Sequence, residues 1–115
     1  MQREAIEIAK RIVEAASDKQ ASDIVLLDTS GVCSFADYFV ILTGESGRQI
    51  EAIRQAIDEA LKGEAIARHY EGSASSGWLL IDVGDIIVHI FAPYEREYYQ
   101  LDNLWENAPI VLRVL

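Results

Sequence analysis

Residues 77–91, GWLLIDVGDIIVHIF, constrain the fold more than any other stretch. Two apolar runs meet at Gly84-Asp85, a dipeptide suited to a two-residue hairpin turn. Such a turn sets Val83 opposite Ile86 and carries the pairing outward to Trp78 opposite Phe91. Strand alternation then gathers Leu79, Ile81, Val83, Ile86, Val88 and Ile90 on one face, which is wholly aliphatic and must be core. The opposite face carries Trp78, Leu80, Asp82, Ile87, His89 and Phe91. Aromatic anchors among a few polar groups are the composition expected of a protein-contact surface. The plainer alternative is a helix covering this face, with Asp82 and His89 satisfied internally.

The rest of the chain supplies partners for that hairpin. Residues 3–17 repeat Ile6, Ala9, Ile12, Val13 and Ala16 at three- and four-residue spacing, which predicts a helix with one apolar stripe. Asp23–Asp28 predicts a short buried strand ending in the turn formers Thr29, Ser30 and Gly31, and Asp37–Thr43 predicts a second. Ile50, Ile53, Ile57 and Leu61 keep a helical period up to Gly63. Residues 64–71 are expected to be a strand of mixed character. Pro93 closes the hairpin's second strand, and Tyr94–Asn107 is expected to be helical or turn-like until Pro109. Leu101, Leu104 and Trp105 would dock on the sheet there, with Arg96 paired to a carboxylate. The expected architecture is α/β: one domain, residues 1–115, with a mixed sheet of about five strands covered by helices.

Charge and cysteine usage narrow the function classes. Nineteen acids against ten bases give a net charge of −9. Lys and Arg supply most non-specific affinity for nucleic acid, and no lysine follows Lys62, so little direct contact with RNA or DNA is expected. A basic protein partner fits the charge better. Cys33 is the only cysteine, which rules out an internal disulfide and a thiolate metal cluster. No apolar run approaches the roughly 20 residues of a membrane span, and Glu4, Glu7 and Glu14 are unlike a secretory signal. A cytoplasmic protein is expected.

The segment DYFVILTGESGRQIEAI (37–53) reads as strand, glycine turn and helix, the arrangement that often holds phosphate. Its spacing matches neither common phosphate-binding glycine pattern, no lysine lies in the loop, and Glu45 places a negative charge there. Ser46 and Gln49 instead have the spacing of a capping box. Asp82 and His89 with Ser46 or Ser75 lack a G-x-S-x-G elbow, and His69, His89 and Cys33 lack metal-ligand spacing. No catalytic residue, cofactor or metal is expected.

Together, residues 37–53, EG (71–72), GWLLIDVGDIIVHIF (77–91) and REYYQLDNLWENA (96–108) resemble the ribosomal silencing factor, or Iojap-like, family over nearly the whole chain. Asp102 stands where that family commonly has glutamate. The resemblance implies a non-enzymatic translational repressor. It would bind the large ribosomal subunit through the universal ribosomal protein fourteen and sterically block joining of the small subunit. It also implies a nucleotidyltransferase-like topology without the catalytic acids. Those enzymes carry two metal-binding acids one residue apart, whereas Asp37 is followed at that step by Phe39. On this reading Trp78, Leu80 and Phe91 supply buried area, and Asp82, His89, Glu95 and Arg96 supply polar register. The −9 charge would steer association with a basic ribosomal protein. A large-subunit assembly factor and a residual nucleotidyltransferase using Asp37, Ser46 and Arg48 are the alternatives. An apolar face without its partner also leaves a homodimer of the free protein open.

Overall fold

A computed structural model describes residues 4–115, the side chain of Leu104 excepted. The elements run α1 (Ala5–Asp18), β1 (Ser22–Asp28), β2 (Tyr38–Thr43), α2 (Gly47–Ala60), β3 (His69–Ser73), β4 (Trp78–Asp82) and β5 (Ile86–Phe91). Then follow α3 (Pro93–Tyr99), α4 (Leu101–Leu104) and β6 (Ile110–Val114). The helix expected to open at residue 3 opens at Ala5; residue 3 lies outside the described residues.

The hairpin has the expected register. Trp78 pairs with Phe91, Leu80 with His89 and Asp82 with Ile87. Val83 N–H donates to the Ile86 carbonyl at 3.0 Å, closing the two-residue turn. Asp82 adds a turn-stabilising contact, accepting from the Gly84 N–H at 2.9 Å. All six aliphatic hairpin residues join the main core, where α1 contributes Ile8, Ile12 and Val13 and α2 contributes Ile50, Ile53 and Ile57. The helical spacing of those residues is what turns both helices toward one side of the sheet.

Among the described residues one mixed sheet has six strands in the order β3-β4-β5-β2-β1-β6, so the expectation of about five is corrected. The additional strand is β6, which pairs antiparallel with β1 beyond Pro109. Pro109 terminates the helical turn, but its carbonyl also accepts from Asp28 N–H at 2.9 Å and so starts the new pairing. The strand expected over 64–71 is also displaced: β3 begins at His69 and runs to Ser73, a segment with no buried residue. Its apolar content was too low to mark its limits.

β2 and β5 pair in parallel at the sheet centre, Phe39 beside Ile87 and Ile41 beside His89. Both strands are buried nearly throughout because both sides of the sheet are covered there. A second cluster of Val25, Leu27, Phe39, Ile41, Ile87 and Phe91 lies opposite α1 and α2 and is covered by Leu101, Ala108 and the half-buried Trp105. Cover thins toward β4, where Trp78 and Leu80 remain half-buried.

Candidate functional site: an aromatic groove beside the hairpin

Trp78 begins β4, and its outer neighbour β3 presents Glu71, Gly72 and Ser73, side chains too small or too polar to roof an indole. The other wall comes from Tyr99, the last residue of α3, whose ring centroid lies 4.5 Å from that of Trp78. Between them opens a groove of about 320 Å³ lined by Glu71, Gly72, Ser76, Trp78, Leu80 and Tyr99.

Two glycines make the groove geometrically feasible. Gly72 has φ +75°, and a Cβ there would lie 2.1 Å from the Trp78 carbonyl oxygen, so β3 approaches β4 only without a side chain. Gly77 has φ +82°, and a Cβ there would collide with the Glu95 carboxylate. Glu95 thereby lies across the entry to β4, and Gly77 carbonyl accepts from Ala92 N–H at 2.9 Å, tying that entry to the start of α3. Pro93 opens α3, where its missing N–H is no loss.

Beneath the groove is a stack of rings. Phe91 is fully buried, its centroid 4.9 Å from Trp78 and 6.1 Å from Tyr99. His89 is 5% exposed, 5.0 Å from Phe39 and stacked at 8° on Phe91. Trp78 Nε1–H donates to His89 Nδ1 at 3.2 Å, which leaves the imidazole proton on Nε2. That Nε2 is buried and has no hydrogen-bond partner. Burial pushes the His89 pKa down to about 4, so the ring is neutral near pH 7.

The seven residues expected to contact a partner therefore divide. Trp78 and Leu80 line the open groove; Asp82 is half-buried and partly engaged by its own turn, and Glu95 is half-buried against Gly77. Phe91 and His89 are buried, Phe91 beneath Trp78 and Tyr99 and His89 among Phe39, Trp78 and Phe91, so neither lines the open groove. Arg96 is engaged within the fold. Its guanidinium makes a two-pronged bond to Asp102 at 3.1 and 2.9 Å, donates to Thr43 Oγ1 at 3.0 Å and lies 3.4 Å from Asp23, with the side chain only 11% exposed. It clamps α3 and α4 to the sheet.

Tyr99, Glu71 and Ser76 are groove residues that strand alternation alone missed. The signal for Tyr99 was the spacing of Tyr94, Tyr98 and Tyr99 after Pro93: Tyr94 and Tyr98 stack at 5.8 Å on the solvent side, while Tyr99 turns inward onto Trp78.

The turn before α2 is engaged within the fold. Ser46 Oγ accepts from Gln49 N–H at 3.1 Å, as a capping residue should. Gln49 Oε1 accepts from Glu45 N–H, one residue earlier than the expected reciprocal bond, and its amide donates to the Lys19 and Gln20 carbonyls. No helix among the described residues is long and apolar enough to cross a membrane, and no three His, Cys, Asp or Glu side chains among them converge as metal ligands.

The family described as Ribosomal silencing factor during starvation matches residues 2–114. The Bacillus subtilis protein "Ribosomal silencing factor RsfS" is 41% identical over 104 residues, covering 90% of this chain and 88% of that one. The maize "Protein Iojap, chloroplastic" is 33% identical over 95% of this chain and 48% of its own length. A crystal structure of a Chromobacterium violaceum protein superposes with a TM-score of 0.85 at 36% identity, covering 90% of this chain and 88% of that chain. A match spanning almost every residue, shared with a bacterial relative of comparable length and a closely superposable crystal structure, leads to one conclusion: this chain belongs to the ribosomal silencing factor family.

Proposed function

We propose that this chain represses translation in the bacterial cytoplasm. It binds the large ribosomal subunit through the universal ribosomal protein fourteen and excludes the small subunit by occupying its place. The observation that supports this reading best is the half-open groove of Trp78, Leu80 and Tyr99 bordered by Glu71. It offers aromatic area for burial and carboxylate charge for a basic protein, and family membership directs it to the ribosome. Silencing of this kind needs no chemistry, only a bound wedge, so inhibition is stoichiometric with subunits. On the same reading the mixed sheet is a nucleotidyltransferase-like topology used as scaffold.

The test is co-sedimentation of the purified protein with large subunits, followed by a joining assay with small subunits. Trp78 is unsuitable as the first variant, since it is also packed on Phe91 and His89. Leu80 is half-buried at the groove floor. Leu80→Glu is expected to weaken subunit binding at least about tenfold while the thermal midpoint moves only a few degrees. Undiminished binding by that variant would remove the groove from the interface. Saturable nucleotide binding with magnesium would point to the enzyme reading instead.

A further inference from the structure

His89 is an expensive residue for its position. Its neighbours Phe39, Phe91 and Trp78 are aromatic, and its Nε2–H is buried without an acceptor, a cost that an apolar side chain would not incur. What it does make is one hydrogen bond, from Trp78 Nε1–H at 3.2 Å. An indole has a single donor and no acceptor, so a Trp on a strand can direct that N–H inward or, after rotation of the ring, outward to water. With His89 Nδ1 as acceptor, the inward setting is satisfied and the indole N–H is kept out of the groove that Trp78 lines with Leu80 and Tyr99. Without it, the inward setting strands a buried donor, and rotation places the N–H in the groove.

We infer that His89 is a positioning residue for partner binding: its Nδ1 holds the Trp78 indole in the one ring orientation that leaves the groove with an apolar floor. It touches no partner itself. This inference rests on the groove being the docking surface.

Two variants of matched shape isolate the effect. Asn places Oδ1 as far from Cβ as His places Nδ1, whereas Leu has the same branching with a methyl there. Both lose the rest of the ring equally. His89→Asn is expected to keep the Trp78 indole N–H resonance near its wild-type position and to retain most of the affinity for large subunits. His89→Leu should shift that resonance, with the Trp105 indole as internal reference, and bind about tenfold more weakly than His89→Asn. A merely structural role predicts the reverse order, because Leu suits an apolar pocket better than Asn. Leu binding as tightly as Asn, or an unshifted Trp78 resonance in the Leu variant, would overturn the inference. Failure of the wild-type protein to bind subunits would instead overturn the proposed function, and the resonance comparison would still decide whether His89 sets the indole.

Discussion

A neutral imidazole buried among rings makes stability depend on acidity. In the unfolded chain His89 takes up a proton near pH 6.5, and in the folded protein only near pH 4. Between those values the unfolded state binds more protons, so the stability associated with this residue is complete above pH 6.5 and is lost as pH falls toward 4. The shift corresponds to about 3 kcal/mol. Denaturant titrations of wild type and His89→Asn at pH 4 and pH 7 should show the wild type losing roughly that much more on acidification; parallel losses would mean that His89 is not the group responsible. Alternation could place His89 and Phe91 on the mixed face, but it could not say what lies over them. Over Phe91 that depends on Tyr99, whose approach requires the α3 helix to pack back across the hairpin.

At the level of elements, the β3–β4 ribbon is the part most sensitive to a single methyl group. Gly72→Ala puts a Cβ against the Trp78 carbonyl at a positive φ, so both the strand spacing and the backbone conformation oppose it. A loss of about 3 kcal/mol in urea unfolding is expected, together with weaker subunit binding because β3 forms one border of the groove. A silent substitution would show that β3 is free to move away. The hairpin was legible down to its register because a two-residue turn and a period of two leave only one way to pair the two halves of residues 77–91. β3 was not, since His69–Ser73 gains its place by hydrogen bonding to β4 and contributes nothing to either core. β6 was hidden behind Pro109, a residue that signals an ending and here also serves as a beginning.

For the molecule as a whole, a charge of −9 acts at longer range than any contact in the groove. Association with large subunits is expected to slow by about tenfold between low and physiological salt, with a much smaller change in dissociation, as stopped-flow mixing would reveal. A salt-independent association rate would assign the acidity to solubility alone. Broad class and two amphipathic helices packed on a mixed sheet were legible in the chain's patterning, and the family resemblance in its motif residues. The division of the second face into a sealed centre and a half-open flank was not, because it depends on where α3 and α4 come to rest.

The strand order carries one more implication, for the protein's own birth. Of the six described strands β1 is made first, yet one of its two neighbours is β6, made after the other five. Until β6 has been made, an oily ribbon containing Ile24, Val25, Leu26 and Leu27 has one unpaired edge. That interval is when a chaperone would be most useful, and when a neighbouring nascent copy would be most dangerous.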